Sequence, residues 1–109
     1  MLSGPRNDAR HEWTVHVRGK MRQYRLSEYL VKRIMSAPER TEEGVADHTV
    51  AVMRRAGIGG RAHEMWVMYR KKGLAKLVIS AWRYPGKSPI GKPIMIPQDA
   101  LDALAHDEV

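Results

Sequence analysis

The sequence predicts an α+β fold in which two N-terminal helices pack on an antiparallel sheet of three or four strands, followed by a proline-rich arm and a short C-terminal helix. Two observations predict this fold. Apolar residues recur with helical spacing over residues 15–36, and with the two-residue spacing of strands from residue 49 onward. Three strand-like segments then follow one another with short glycine-bearing turns, which is typical of an antiparallel meander and not of parallel βαβ units.

The two helices have recognisable start and stop signals. Thr14 is a candidate N-cap for a first helix over residues 15–23. Ser27 is a stronger N-cap for a second helix that runs to Ser36, and Pro38 ends it. The apolar stripes are Val17, Met21 and Tyr24 in the first helix, and Leu30, Val31, Ile34 and Met35 in the second.

Three strands are predicted over residues 49–56, 63–70 and 76–84. In the middle one, alternation sends Met65, Val67 and Tyr69 to one face and Glu64, Trp66, Met68 and Arg70 to the other. We expect six strand residues to be largely buried, with Leu30 and Ile34 packed against them: Val50, Val52, Met65, Val67, Leu77 and Ile79.

The end of the chain has a different period. Prolines fall at positions 85, 89, 93 and 97, which predicts an extended arm because proline cannot donate to a strand ladder. A short helix is predicted over residues 98–105, with Leu101 and Leu104 directed inward. The domain is therefore predicted to span residues 13–105, with flexible tails at residues 1–12 and 106–109.

Charge is the strongest feature of the composition. The 109 residues include 19 Lys and Arg against 12 Asp and Glu, which gives a formal net charge of +7. The acids gather in residues 38–47 and after Gln98, so the rest of the chain is strongly basic. This pattern predicts a polyanionic partner, RNA or the ribosome. The alternative is that the basic residues form only a solvated surface.

Other classes of protein are disfavoured. The chain has no Cys, which excludes disulfides and thiolate metal sites and fits a reducing cytoplasm. No window approaches the roughly 18 apolar residues of a membrane span, and the first ten residues lack the apolar stretch of a signal peptide. His11-Glu12 and His63-Glu64 do not have the spacing of a zinc motif. We therefore expect a cytoplasmic protein without metal, cofactor or membrane.

The stretch "AWRYPGKS", residues 81–88, follows an apolar strand and resembles a nucleotide-binding P-loop. In such a loop the Lys and Ser stand in the first turn of a helix, whose N–H groups hold the phosphates. Here Ser88 is followed by Pro89, Gly91 and Pro93, so no helix can begin there. The sequence therefore favours a strand end that carries charged residues for another purpose.

A set of basic and aromatic residues is suited to metal-free RNA cleavage, in which one group takes the 2′-OH proton, one protonates the leaving oxygen and a cation stabilises the phosphorane. The candidate catalytic residues are His63, Arg83 and Tyr84. Alternation sends Arg83 and Tyr84 to opposite faces, so both can reach one groove only if the strand bends at Pro85-Gly86. The candidate RNA-binding residues are His16, Arg18, Lys20, Arg22, Arg25, Arg70 and Lys87.

Two stretches resemble a known family. "HVRGKMRQYRLSEYLVKRIMSAPERTEEG" (16–44) resembles the N-terminal half of a group of small bacterial and phage domains. "VISAWRYPGKSP" (78–89) resembles a strand of BrnT-type toxins, which belong with RelE-type toxins to the barnase, colicin and RelE-like ribonuclease assemblage. The resemblance covers about residues 13–88 and implies a compact α+β fold with an RNA-binding groove on the sheet. Trp82 separates Ala81 from Arg83, whereas the toxin motif places Arg directly after Ala.

Three functions follow as hypotheses. The first is a metal-independent ribonuclease of toxin type, paired with an acidic antitoxin protein. The second is a non-catalytic RNA- or ribosome-binding module. The third is a protein-interaction domain of a phage or mobile element. Salt-dependent RNA binding separates the first two from the third, and cleavage products separate the first from the second.

Overall fold

The computed structural model describes residues 4–43, 48–90, 94 and 96–106, and it shows an α+β fold built on one sheet. The strands are β1 (His11–Trp13), β2 (Arg40–Glu43), β3 (Thr49–Ala56), β4 (His63–Lys72) and β5 (Ala75–Pro85). The helices are α1 (Val15–Tyr24), α2 (Glu28–Ser36) and α3 (Gln98–His106), with one 3-10 turn at Gly59–Arg61. The sheet order is β1-β5-β4-β3-β2.

The two predicted N-terminal helices are confirmed, together with their caps. The Thr14 hydroxyl accepts a hydrogen bond from the Val17 N–H at 3.0 Å, and the Ser27 hydroxyl accepts one from the Leu30 N–H at 3.1 Å. Each cap satisfies a backbone donor that would otherwise have no partner in the first helical turn. Both helices pack on the same face of the sheet.

The sheet is larger than predicted and is mixed. The central strands β3, β4 and β5 form the predicted antiparallel meander. The edge strand β2 adds antiparallel to β3, whereas β1 pairs in parallel with β5. The prediction of an antiparallel sheet of three or four strands was therefore wrong at both edges, where strands of three and four residues are too short to show a two-residue period.

The predicted flexible tail at residues 1–12 was also wrong in its described part. His11 and Glu12 belong to β1, and Pro5 is buried. The Asp8 carboxylate accepts hydrogen bonds from the N–H groups of Arg10 and His11, both at 2.8 Å. The ordered domain therefore begins before residue 13.

Strand β4 alternates as predicted between two buried faces. Met65, Val67 and Tyr69 pack beneath α1 and α2, while Trp66 and Met68 lie on the opposite face. Five of the six predicted core residues are buried, and Val50 is half-buried. We refer to the two sides as the α1/α2 face and the α3 face.

A β-bulge in β5 changes the predicted packing of two of these residues. The partner of Met68 is Ser80, but the partner of Tyr69 is Val78, so Ile79 is the extra residue. A one-residue shift moves the following side chains to the other face. Leu77 and Ile79 therefore pack on the α3 face. The prediction that Leu30 and Ile34 pack against these two residues was wrong.

The C-terminal helix covers the second face of the sheet. Ala100 is fully buried there, and Leu104 packs against the same cluster. The predicted inward residue Leu101 is half-buried. Of the arm, Ile94 and Ile96 pack on this face, while residues 91–93 and 95 lie outside the described residues, as do residues 107–109 of the predicted C-terminal tail.

One glycine is required by the turn between β3 and β4. Gly57 has φ = 73°, and a Cβ atom there would fall 2.3 Å from the Arg61 carbonyl oxygen. We expect Gly57→Ala to lower the free energy of unfolding by about 2 kcal/mol, because the backbone must move to relieve the contact. Urea denaturation measures this. Gly60→Ala is the matched control: its Cβ meets nothing within 4 Å, so a comparable loss there would contradict the argument.

Candidate functional site

His63 and Arg83 meet where β4 begins and β5 ends, on the α1/α2 face. The guanidinium Nη1 lies 2.6 Å from His63 Nε2. Since a guanidinium can only donate, Nε2 must be the acceptor. The proton of a neutral imidazole then lies on Nδ1, which donates to the Arg61 carbonyl at 2.9 Å. The structure therefore brings together two of the three predicted catalytic residues.

Arg83 also holds the end of α1. Its Nε donates to the Tyr24 carbonyl at 2.8 Å, and its Nη2 approaches the Arg25 carbonyl at 3.4 Å. The last carbonyls of a helix have no partner within the helix and carry partial negative charge, so a cation there is stabilising. Arg83 is therefore a helix-capping residue as well as a candidate for phosphate chemistry.

Arg54 plays the same structural part at α2. Its Nη1 donates to the Ala37 carbonyl at the end of that helix. Arg54 and Arg83 both face Met65 across the sheet, so they lie in one row on the same face. Of the two, only Arg83 contacts His63. A variant of Arg54 can therefore serve as a control for the helix-capping role of Arg83.

Four exposed basic residues lie on the chain segments that meet at the His63–Arg83 pair. Arg25 adjoins it because its carbonyl accepts from Arg83, and Arg61 adjoins it because its carbonyl accepts from His63. The Gly86 N–H donates to the Ala62 carbonyl at 3.0 Å, which holds the following Lys87 beside the same loop. We call this surface the basic rim. Its members are Arg22, Arg25, Arg61 and Lys87, all exposed and with no ion pair to an acid in the described part of the chain.

Tyr84 does not join this site. Its strand partner is Glu64, and it packs on the α3 face, opposite to Arg83. The bend predicted at Pro85-Gly86 comes too late to change this, because β5 stays regular through Pro85 and its bulge lies earlier, at Ile79. The expectation that Arg83 and Tyr84 share one groove was therefore wrong.

The first two turns of α1 are occupied by contacts within the fold. Arg18 donates to the carbonyls of Pro5 and Trp13 and fixes the N-terminal segment. Lys20 forms an ion pair with Asp99 and ties α1 to α3. Of the predicted RNA-binding residues, these two and His16 make contacts that hold the fold together.

His16 lies between α1 and the sheet, with Nε2 2.9 Å from the Ser80 hydroxyl. Burial lowers the pKa of His16, and the nearby Asp99 charge opposes this only in part. Arg70, also predicted to bind RNA, is half-buried in β4 between Thr49 and Leu77. Neither residue belongs to the basic rim.

A buried carboxylate that the sequence analysis missed lies on the α3 face. Glu64 is 1% exposed and accepts three hydrogen bonds. They come from the Ser88 hydroxyl at 2.7 Å, the Trp66 indole at 2.9 Å and the Ser88 N–H at 3.1 Å. Ser88 therefore binds a carboxylate, which removes it from any role as a P-loop serine and attaches the start of the arm to the sheet.

Arg40 completes this buried network from β2. Its Nη1 donates to the Ser88 hydroxyl at 2.7 Å, and its guanidinium lies 5.4 Å from the Trp66 ring centre. Burial alone would raise the pKa of Glu64, but the Ser88 and Trp66 hydrogen bonds and the Arg40 charge together hold it below its ordinary value. The network is saturated with internal partners, which identifies it as structural.

Other kinds of site have less support. Among the residues that the structure describes, no group of three or more His, Asp or Glu side chains could hold a metal ion. No helix in the described ranges is long and apolar enough to cross a membrane. Comparison of the chain with protein-family models, with curated proteins and with solved structures finds no match.

Proposed function

We propose that the protein binds RNA through the basic rim without cleaving it. The observation that carries this proposal is that Arg22, Arg25, Arg61 and Lys87 are exposed, lie on the chain segments that meet at the His63–Arg83 pair, and have no acidic partner in the described residues. Guanidinium groups bind phosphates by paired hydrogen bonds and stay charged at every physiological pH. A rim of three arginines and one lysine is suited to a phosphate backbone.

Three further points favour RNA as the ligand and binding as the activity. The net charge of +7 attracts a polyanion from a distance. The resemblance to the RelE-like ribonuclease assemblage favours RNA over other polyanions. Of the three candidate catalytic residues, Tyr84 lies on the other face of the sheet, which separates it from His63 and Arg83. We place this RNA binding in the cytoplasm, in keeping with a chain that has no Cys.

Replacing Arg22 and Arg25 together with Gln should weaken RNA binding about 10-fold and leave the fold intact. Each phosphate contact to a single strand contributes about −0.7 to the slope of log affinity against log salt, so the slope should shrink by about 1.4. Fluorescence anisotropy over a salt series measures both quantities. Arg22 and Arg25 are chosen because Arg18, their neighbour on α1, holds the N-terminal segment.

The matched control replaces Arg33 and Lys71 with Gln. These cations are also exposed, but Arg33 lies on α2 and Lys71 lies near the end of β4 away from His63. Affinity and salt slope should then stay close to those of the wild type. An affinity that is independent of salt in the wild-type protein would mean that the basic rim is only a solvated surface.

A second candidate function is metal-independent RNA cleavage, and the 2.6 Å contact between His63 and Arg83 favours it. That contact places a potential base beside a cation that can stabilise a phosphorane. For cleavage, Arg83 would have to leave His63 Nε2 and bind the phosphate, because the same nitrogen must accept the 2′-OH proton. An acidic antitoxin is the partner expected with this function, and the basic rim is the surface that it would cover.

A further inference from the structure

A cavity of about 400 Å³ lies beside the basic rim, between the N-terminal segment, α1 and the start of α2. Its apolar lining includes Met21 and Leu26, which are 5% and 3% exposed, and the buried Pro5, while Arg18 also lines it. Arg22 lines the same cavity and is also a member of the basic rim. The polar residues Ser27 and Glu28 complete one side, and Gly4 lines another.

We propose that this cavity receives one unstacked base of a bound RNA strand, so that the protein prefers single-stranded RNA to duplex RNA. The inference rests on the proposed RNA-binding function and adds the class of RNA. The cavity volume lies within the range of small-molecule sites, which is about 300–1,000 Å³. A nucleobase has two apolar faces and a polar edge, which matches an apolar lining with polar groups on one side.

The polar groups can recognise the edge of a base. Ser27 accepts from the Leu30 N–H through its hydroxyl oxygen, which leaves the hydroxyl proton to donate. The Glu28 carboxylate uses Oε2 for Lys32 at 2.9 Å, and within the described residues its Oε1 has no hydrogen-bond partner. Ser27 and Glu28 therefore offer one donor and one acceptor beside the guanidinium groups of Arg18 and Arg22, which suits the mixed donors and acceptors of a Watson–Crick edge.

Arg22 connects the cavity to the phosphate surface. Its guanidinium is exposed and forms no ion pair with an acid in the described part of the chain, so it can stack on a base or bind the adjoining phosphate. The bases of an A-form duplex are paired and stacked, and the deep major groove of the duplex does not admit side chains. A duplex can therefore meet the basic rim but cannot place a base in the cavity.

Filling the cavity tests the inference. A Cβ atom on Gly4 would lie 3.6 Å from Arg18 Nη1, which is an ordinary contact, so the backbone at Gly4 accepts a side chain, and Gly4→Leu adds bulk at the cavity wall. We expect it to weaken binding of a single-stranded 12-nucleotide RNA about 10-fold, the scale of losing one stacked base. Binding of a duplex hairpin should stay unchanged. Ala9→Leu adds similar bulk at an exposed position of the same segment and should change neither affinity.

Methyl NMR of the wild-type protein gives a second readout that needs no variant. Adding the single-stranded RNA should shift the Met21 and Leu26 methyl signals upfield through the ring current of the base, while the hairpin should not. If both RNAs bind equally, Gly4→Leu has no effect and the methyl signals stay in place, the inference is overturned and the proposed function stands. If neither RNA binds at low salt, the proposed function is overturned and the inference with it.

Discussion

Replacing Glu64 with Ala is expected to lower the free energy of unfolding by about 3–5 kcal/mol, the scale of removing one partner from a buried charge network. The change leaves three buried donors without an acceptor: the Trp66 indole N–H, the Ser88 hydroxyl and the Ser88 backbone N–H. Each unpaired buried donor costs about 1–3 kcal/mol. Urea denaturation followed by tryptophan fluorescence measures the loss.

Two further variants make this result specific. Glu64→Gln keeps the size and one acceptor oxygen, so we expect a smaller loss than for Ala. Glu43→Ala removes an exposed glutamate from the edge strand β2 and should cost less than about 0.5 kcal/mol. A loss below about 1 kcal/mol for Glu64→Ala would show that solvent reaches the site and that the network does not hold the arm.

The same carboxylate makes stability depend on pH. Burial works to raise the pKa of Glu64, but its hydrogen bonds and Arg40 hold it below the ordinary value of 4.5. Because the pKa is lower in the folded state, the stabilisation is complete above pH 4.5 and is lost as the pH falls through the folded-state pKa. Unfolding of Glu64→Gln should therefore depend less steeply on pH between about pH 6 and pH 3.

Local signals explain which elements the sequence predicts well. Thr14 and Ser27 each act on a backbone N–H only three residues away, so a cap can be identified from a few neighbours. The two-residue alternation of Met65, Val67 and Tyr69 likewise depends only on local strand geometry. Helices α1 and α2 and strands β3 to β5 could therefore be predicted close to their observed bounds.

The short edge strands lacked such signals. Strand β1 has three residues, and its pairing partner β5 is more than 60 residues away in the chain. The sequence around Ile79 gives no local signal for the bulge either, because an extra residue is defined only by the register of the neighbouring strand. These features are fixed by long-range pairing and not by the propensity of the segment itself.

The Glu64 network was missed for a similar reason, although one signal was present. The residues that it joins are far apart in the chain: Glu64 and Ser88 are separated by 24 positions, and Arg40 and Ser88 by 48 positions. Trp66 and Met68, however, share a strand face with Glu64, and two large apolar residues on the face away from α1 and α2 indicate that a second layer covers it. That pattern predicts burial of Glu64, and a buried carboxylate requires donors.

For the candidate RNA site, the sequence predicted the types of residue involved but not the contacts that they make. The i, i+4 spacing of Arg18 and Arg22 places both on one side of α1, but it does not show that Arg18 is used to hold the N-terminal segment. Strand alternation did predict that Arg83 and Tyr84 diverge, and the structure follows that rule. What sequence spacing could not provide was the contact of Arg83 with His63 and with the end of α1.

On the ribonuclease hypothesis, replacing Arg83 with Ala is expected to reduce RNA cleavage at least about 10²-fold, the scale of losing one oriented charge-stabilising donor. The same change also removes the cap from the Tyr24 and Arg25 carbonyls, which should cost about 1–3 kcal/mol of stability. A loss of cleavage alone therefore does not separate chemistry from folding.

Arg54→Ala separates the two effects. Arg54 caps α2 from the same row of the sheet without contacting His63, so its replacement should cost similar stability and leave cleavage nearly unchanged. His63→Ala should reduce cleavage by about 10²–10⁴-fold through loss of the base. Single-turnover cleavage rates at a temperature where all variants are folded give the comparison. Equal loss in Arg54→Ala and Arg83→Ala would reduce Arg83 to a structural cap, and a wild-type protein that binds RNA but yields no cleavage products would leave RNA binding as the function of the basic rim.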